Sequence, residues 1–481
     1  MKSVLTLHGY TAEMLAALTG GELHCFGCNG SVQFSSVATD SREVGAGTLF
    51  AAIVGERVDG HDYIGRAVEN GSACVLASRL PQPAPEHCAI VLVDDVIAAL
   101  GKLAQDYGRR TPGVTVAVTG SVGKTTTKEF ISAVLTQKFS LHKSSGNHNN
   151  EIGLPMTMLD APVGTEAKVY EMGMCALGEI DYLSRIAEPD IAVITTIGTS
   201  HLEHLGTREN ICRAKCEIAH GLGPDGLLIC NADEPLLFRE ELEGRRPIFV
   251  AIRNRFADFR AVNIRTGVGK TTFDLLYDRR VVTNVEIPTV GVHHVYAALF
   301  AYAVGVRCGM TDSMIREGLM AFANTGMRQH LLTLGGVTVI EDCYNASPES
   351  MRAALEVLCT LSQQQNGARM LALLGDMREL GTDSVLMHHQ LGITVAQRKL
   401  DYLFTLGESA EEIGLGAIQH GMRADRVYAN PDCSRYAQSG EMLLRVMRPG
   451  DILLVKASRA VAAERVIDYL RENSHRIGTE K

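Results

Sequence analysis

The sequence predicts an α/β protein of three domains, and three observations carry that prediction. The chain has 481 residues, more than one ordinary core holds, since single domains run to about 100–200 residues. Apolar strand-like runs alternate with helix-like stretches in two separate series, the pattern of mostly parallel sheets covered by helices. Residues 119–127, TGSVGKTTT, join an apolar run to an amphipathic stretch in the layout of a phosphate-binding loop.

Residues 1–110 read as a small α/β unit that closes with the proline-bearing stretch 81–85 and a helix over 97–107. It carries no nucleotide loop. Residues 111–326 form the central series, with strands expected at 114–118, 169–170, 191–197 and 227–230 and helices at 125–135, 180–186 and 208–222. Residues 327–481 hold the second series, a Rossmann-like sheet with strands at 337–340, 370–374, 402–406 and 452–455 and helices such as 349–361 between them.

The formal net charge is −9, and no Lys/Arg-rich run is present to neutralise a phosphate backbone, which argues against nucleic acid as the main partner. An anionic ligand needs a locally basic pocket instead. The longest near-apolar stretch, 295–306, is shorter than the roughly 18–20 residues of a membrane-spanning helix, and the N-terminus lacks a charged-then-apolar signal layout. A soluble, cytoplasmic monomer without integral membrane association is expected. Twelve cysteines are scattered from Cys25 to Cys433, which in a chain of this kind reads as reduced thiols. Cys25 and Cys28 lack the second pair that zinc requires, and Cys212 and Cys216 share a helix face as packing residues.

Each residue of the loop has a chemical use. Gly120 and Gly123 let the N–H groups around Ser121 and Val122 approach phosphate oxygens, and the helix that begins near Thr126 offers its positive end. Lys124 reaches the outer phosphates and Thr125 suits Mg²⁺. A common Walker loop has a further glycine where this chain has Val118, so the pattern is the narrower G-x-x-G-K-T.

Downstream, GNHNNEIGLP (146–155) offers Asn147, Asn149 and Asn150 to phosphate or sugar oxygens, although asparagine-glycine clusters are more often plain turns. Glu171 and His201 each follow an apolar run, at the strand ends where open α/β sheets set their ligands. Either suits a phosphate-bound metal, with Glu203 and His204 as neighbours able to orient His201; an ordinary strand-end glutamate is the alternative reading. Lys215 lies among Ala214, Cys216 and Ile218, where a snorkelling lysine is the common case. Burial would instead depress its pKa and leave a neutral amine able to take up carbon dioxide as a carbamate. In the last series Arg328 stands at the entry, Asp342 suits ribose hydroxyls, and Lys456 follows the final strand as a cation for anionic groups.

Taken in order, TDSR (39–42), DGH (59–61), the loop, GNHNNEIGLP, Glu171, TTIGTSHLEHLG (195–206), AKCEI (214–218), DCYNASPESM (342–351) and LGDMRELG (374–381) resemble the Mur ligase family of peptidoglycan synthesis over nearly the whole chain. The stretches NNEIGLP, YNASP and GDMRELG resemble the branch that adds D-alanyl-D-alanine to UDP-N-acetylmuramoyl-tripeptide. The resemblance implies an N-terminal UDP-binding domain, a central ATPase-type domain and a C-terminal Rossmann-like domain. It implies ATP held by residues 120–126 (Gly120, Ser121, Val122, Gly123, Lys124, Thr125 and Thr126) with Asn150. Arg328 would lie at the phosphate or ribose, Asp342 at the ribose, and Tyr344 and Asn345 at the adenine side.

Two Mg²⁺ ions are implied as well, one at Thr125 and Glu171 and the other at His201 and a carbamylated Lys215, which makes Lys124, His201 and Lys215 the catalytic set. Ser41 and Arg42 would belong to the UDP site, and Asn147, Asn149, Lys456 and Ser458 would face substrate. The implied chemistry is activation of a peptide carboxylate as an acyl phosphate, then attack by an amine. The chain departs from the family in reading Gly291-Val292-His293-His294 for glycine-x-histidine-asparagine, Ala297 for an asparagine near the adenine, and Lys456-Ala457-Ser458 for lysine-glycine-serine. Two other readings stay open: a Mur-like protein that binds nucleotide or UDP-sugar without catalysis, and a folylpolyglutamate synthase-like ligase, in which the TDSR-to-DGH segment would have no purpose.

Overall fold

The computed structural model describes residues 1–239, 241–324 and 326–479, arranged as three sheets built by consecutive stretches of chain. The first contains β1 (Lys2–Val4), β2 (Glu22–Phe26), β3 (Ser36–Ala38), β4 (Thr48–Ala51), β5 (Ser72–Ala77) and β6 (Cys88–Leu92) in the order β1-β3-β4-β5-β6-β2. Its inner strands β3 to β6 are parallel, with β1 and β2 antiparallel at the edges. The helix Val96–Arg110, started by the Asp95 carboxylate accepting the Ile97 and Ala98 N–H groups, leads out of this sheet.

The central sheet contains β7 (Val114–Thr119), β8 (Leu141–Lys143), β9 (Ala167–Glu171), β10 (Ile191–Ile194), β11 (Leu227–Asn231), β12 (Ile248–Ala251), β13 (Phe259–Gly267), β14 (Lys270–Tyr277) and β15 (Arg280–Ile287). The order is β15-β14-β13-β12-β11-β10-β7-β9-β8, parallel from β8 across to β13 and antiparallel beyond. Residues such as Val116, Ala117 and Val118 are wholly buried, as a parallel strand covered on both faces requires. By contrast β14 alternates buried and half-buried residues, the signature of a strand with one wetter face. The antiparallel β14 and β15 were not among the strands the sequence predicted.

The third sheet is β16 (His330–Leu334), β17 (Val337–Asp342), β18 (Met370–Gly375), β19 (Tyr402–Leu406), β20 (Val427–Asn430) and β21 (Ile452–Lys456), ordered β16-β17-β21-β18-β19-β20 and parallel apart from β16. The four strands expected here are present, and β16 and β20 extend them on either side.

One apolar cluster runs from the first sheet through the helix Val96–Arg110 to one face of the central sheet, so those two units share a core. Tyr107 Oη donates to the Ala161 carbonyl at 2.8 Å and Ser3 Oγ to the Met156 carbonyl at 2.7 Å within that seam. The opposite face of the central sheet packs the helices Lys124–Leu135 and Val292–Arg307. The apolar stretch 295–306 therefore lies in a core helix, and among the described residues no helix is long and apolar enough to cross a membrane. All twelve cysteines are free thiols, as expected.

Two element boundaries differ from the sequence reading. The helix expected over 208–222 is α-helical only from Arg208–Cys216 and tightens to a 3₁₀ turn over Glu217–Gly221, where the Glu217 carboxylate accepts the Gly178 and Asp181 N–H groups. The strand expected to reach residue 197 ends at Ile194, because Thr195 and Thr196 leave the sheet to brace the phosphate-type loop. β7 sits between β9 and β10, so the chain turns opposite ways on its two sides and opens a crevice at the carboxyl ends of the strands.

Candidate active site

The loop after β7 lies in that crevice, and its shape is fixed by contacts with the end of β10. Ser121 N–H donates to the Thr196 carbonyl at 2.9 Å, and Thr195 Oγ1 donates to the Val122 carbonyl at 2.7 Å. Gly120 has φ +150, and a Cβ built there would fall 1.9 Å from Thr195 Oγ1, so only glycine permits this approach. Gly123 adopts φ +85 immediately before the helix Lys124–Leu135, which turns the helix N-terminus toward the crevice. Lys124 Nζ donates to the Gly120 carbonyl at 2.7 Å. Burial lowers its pKa from the ordinary lysine value, with Glu171 opposing that shift and Arg328 adding to it.

Glu171, at the end of β9, is 3% exposed and accepts from Thr125 Oγ1 at 2.8 Å and from Asn149 Nδ2 at 2.9 Å. Its own N–H is held by Ser144 Oγ at 3.1 Å. A hydroxyl and a carboxylate oxygen thus converge beside Lys124, at the positive end of a helix. Asn150 Oδ1 accepts the Gly153 N–H at 2.9 Å and so helps fold the turn that presents Asn147 and Asn149.

His201 follows the polar turn after β10 in the left-handed conformation, φ +65. Its carboxylate neighbour is Glu379 from the third unit, with Nδ1 to Oε2 at 2.5 Å, close in distance but not aligned as a hydrogen bond. Glu203, expected to orient the ring, instead gives its backbone N–H to the Glu379 carbonyl at 3.2 Å. Beside this contact, Thr199 Oγ1 donates to Glu349 Oε1 at 3.1 Å.

Lys215 is 1% exposed on the helix Arg208–Cys216. Burial pushes its pKa well below the ordinary lysine value, and the Lys124 charge pushes it further. It is a core lysine rather than a snorkelling one. Among the described residues no group of three or more His, Cys, Asp or Glu side chains is arranged to hold a metal by itself.

The third sheet closes the far side. Asp342, ending β17, accepts from Lys456 Nζ at 2.7 Å, and the same ammonium donates to the Asn345 carbonyl at 2.9 Å. The Arg328 guanidinium carbon lies 4.1 Å from the centre of the Tyr344 ring, a cation–π contact at the entry to this unit. Residues 121–126, Glu171, His201, Arg328, Asp342 and Lys456 all line one cavity of about 760 Å³, together with Asn147, Asn149, Asn150, Tyr344 and Asn345.

Five predicted site residues do not line it. Gly120 lies against Thr195, and Lys215 is enclosed in the core. Ser458 Oγ accepts the Arg378 N–H at 3.0 Å and so braces the 375–381 segment. Ser41 is buried and Arg42 pairs with Asp40 at 2.6 Å in the first unit.

Two of the three departures noted in the sequence have local explanations, while Ala297, on the cavity wall, has none. Gln329 bridges both imidazoles: His294 Nε2 donates to its Oε1 at 2.7 Å, and its Nε2 donates to His293 Nε2 at 2.8 Å. Burial lowers both imidazole pKa values, which favours the neutral rings that this pattern needs. The Ala457 methyl packs against Gly375, where an added Cβ would fall 2.6 Å away, and does not enter the cavity. Sequence reasoning missed Glu349, Glu379 and Gln329 as site residues, and it missed Asp233, which accepts from Tyr296 Oη at 2.7 Å on the cavity wall. The first two stood inside quoted motifs, but no strand-end or spacing rule singles them out.

Three family descriptions match this chain in succession: Mur ligase family, catalytic domain, over residues 33–107; Mur ligase middle domain over 118–305; and Mur ligase, glutamate ligase domain, over 327–459. The chain is 41% identical over 442 residues to a UDP-N-acetylmuramoyl-tripeptide--D-alanyl-D-alanine ligase of Bacillus subtilis, covering 91% of this chain and 93% of that protein. The crystal structure of MurF from Acinetobacter baumannii is similar at TM-score 0.87 and 30% identity, covering 97% of this chain and 100% of the other. MurF of Thermotoga maritima, solved in complex with ADP, is similar at TM-score 0.81 and 29% identity, covering 92% and 98%.

Proposed function

This chain belongs to the Mur ligase family, and we propose that it joins D-alanyl-D-alanine to UDP-N-acetylmuramoyl-tripeptide with ATP, a step in making peptidoglycan precursors. The observation that carries the reading is the convergence of Lys124, the Thr125–Glu171 pair and His201 on one cavity walled by both the central and the third sheets. The relative solved with ADP supports ATP as the nucleotide.

The residues present suit two Mg²⁺ ions. Thr125 Oγ1 and Glu171 Oε2, 2.8 Å apart and both buried, are hard oxygen donors for one. His201 and Lys215 would serve the other, Lys215 as a carbamate, since a buried amine with a depressed pKa is the form that takes up carbon dioxide. With too few protein ligands for a complete shell, phosphate oxygens would supply the remainder. Bound there, Mg²⁺ would act as a Lewis acid on the phosphoryl oxygens.

The protein's own part is positioning, exclusion of water and charge stabilisation. The N–H groups of the loop and the Lys124 ammonium orient the triphosphate, and Asp342 receives the ribose. The tripeptide carboxylate attacks the γ-phosphorus in line, forming an acyl phosphate and expelling ADP. The amine of D-alanyl-D-alanine then attacks the acyl carbonyl and inorganic phosphate leaves with the bonding pair, giving the amide. Lys124 and Arg328 stabilise the charge that spreads over the transferring group. An acyl phosphate is open to hydrolysis, so contacts such as Thr199–Glu349, which draw the third unit over the crevice, also protect the intermediate.

Ser41 and Arg42, in the turn fixed by the Asp40 carboxylate, are assigned to the UDP end of the substrate, with Asn147 and Asn149 nearer the peptide. Residues 1–110, 111–326 and 327–481 are assigned as the UDP, ATP and closing domains. The protein is proposed to act as a cytoplasmic monomer. Purified protein given the tripeptide, D-alanyl-D-alanine, Mg²⁺ and ATP should release phosphate only when both substrates are present. Turnover without the dipeptide would exclude the ligase reading, and ATP binding without product would favour a Mur-like protein that has lost catalysis.

A further inference from the structure

The segment 375–381 of the third unit reaches across the crevice to the loop 198–201 of the central one. Its conformation is built for that reach. Met377 N–H donates to His388 Nε2 at 2.9 Å and Arg378 N–H to Ser458 Oγ at 3.0 Å, so the segment is held from inside its own unit. Glu379 then adopts φ +64, a left-handed conformation that a glutamate rarely takes. Gly381 follows at φ +60, where a Cβ would lie 3.2 Å from Glu203 Cα. The backbones join where Glu203 N–H donates to the Glu379 carbonyl at 3.2 Å, and the Glu379 carboxylate ends 2.5 Å from His201 Nδ1, at ion-pair distance though without the alignment of a hydrogen bond.

We propose that Glu379 is a positioning residue for His201: a carboxylate delivered by the third unit fixes the imidazole by its Nδ1 edge and leaves Nε2 as the atom presented to a metal ion. The inference rests on the reading of His201 as a metal ligand. Ligating histidines are ordinarily oriented through their other ring nitrogen by a carboxylate or carbonyl, and removing that partner weakens metal affinity by about 10–100-fold. Here the partner belongs to another unit of the chain. Docking of the third unit and readiness of the metal site become one event, and an open form would hold its second metal weakly. Glu349 grips the same loop at Thr199 without touching the ring, which provides an internal control.

The test uses the full chain with a non-hydrolysable ATP analogue and Mn²⁺, and follows the ¹⁴N coupling of Mn²⁺-bound imidazole by pulsed electron paramagnetic resonance during a Mn²⁺ titration. Glu379→Ala should raise the midpoint of that signal about tenfold or more, Glu379→Gln less, and Glu349→Ala by clearly less than Glu379→Ala, since it loosens docking without removing the carboxylate beside the ring. A wild-type midpoint in Glu379→Ala, with the signal lost in His201→Ala, overturns the proposal. An equal shift in Glu349→Ala also overturns it, because docking alone would then be the cause. If the ¹⁴N signal survives His201→Ala, the assignment of His201 as a ligand fails first and the inference falls with it. Glu379 is partly exposed and contributes to no apolar cluster, so unfolding of the variants is checked simply by thermal melting.

Discussion

The Thr125 hydroxyl donates to Glu171 Oε2 at 2.8 Å, so the first turn of the loop helix and the end of β9 meet through one buried bond at the bottom of the crevice. Glu171 accepts a second donor, Asn149 Nδ2, on its other oxygen. A glutamine in its place has a single acceptor oxygen and an NH₂ that would face a donor. Glu171→Gln should therefore disturb the donor arrangement as well as remove the charge that a cation needs. The expected result is a fall in kcat of at least about a hundredfold, the scale on which lost electrostatic stabilisation is felt, and a higher Mg²⁺ requirement in phosphate-release assays. An unchanged Mg²⁺ titration would remove Glu171 from the proposed metal site.

Lys215 tests a different idea, because burial alone gives it no productive contact with the cavity. Lys215→Ala should abolish turnover, and a short carboxylate such as formate or acetate should restore part of it by standing in for the carbamate. Lys215→Met should be inactive as well, yet melt at an equal or higher temperature than the parent, since a thioether of similar length avoids the cost of burying a polar amine. Full activity in either variant would refute the carbamate.

Gly120 can be judged on geometry. An alanine methyl there would overlap Thr195 Oγ1, which is committed to the Val122 carbonyl at 2.7 Å. The chain must either move Thr195, losing the brace, or shift the loop. Gly120→Ala should cost about 1–3 kcal/mol of strain, read calorimetrically as a loss of affinity for an ATP analogue of roughly tenfold or more, while the first unit keeps its fold by circular dichroism. Normal nucleotide affinity would mean that the brace does not set the loop.

The parts of this site that the sequence made legible are those governed by local rules. The loop announces itself by its spacing, and Glu171 and His201 by standing just after buried strands, where parallel sheets leave their ends open. Glu379 obeys no such rule: its partner His201 is set by how two units dock, and its left-handed backbone by packing against Glu203. Lys456 read as a free cation because its counter-ion, Asp342, is a neighbour only through the pairing of β17 with β21. Ala457 read only as a departure because the glycine that accommodates its methyl, Gly375, lies on the adjacent strand β18. The antiparallel β14 and β15 escaped notice for a related reason, since half-exposed strands lack the continuous apolar runs that marked the rest.

The segment that carries Glu379 should respond to acid through His388. Its imidazole is fully buried, accepting Met377 N–H on Nε2 at 2.9 Å and sharing its Nδ1 proton with the Ser384 carbonyl at 2.7 Å. Burial holds its pKa below the ordinary histidine value, Arg378 adds to that, and the Ser384 bond, Asp376 and Glu412 oppose it. Between the lowered folded pKa and the unfolded value of about 6.5, the unfolded chain binds more protons than the folded one, so stability declines as pH falls through that window. Protonation would also cost the Met377 bond, because Nε2 would become a donor facing a donor. His388→Gln keeps an acceptor that does not titrate. Urea midpoints at pH 7.5 and pH 5.5 should therefore fall further in the parent than in His388→Gln. The buried His142, His293 and His294 also have lowered pKa values and remain in both proteins, so the difference between the two drops isolates His388. Equal drops would mean that the 375–381 segment is held without help from a neutral imidazole.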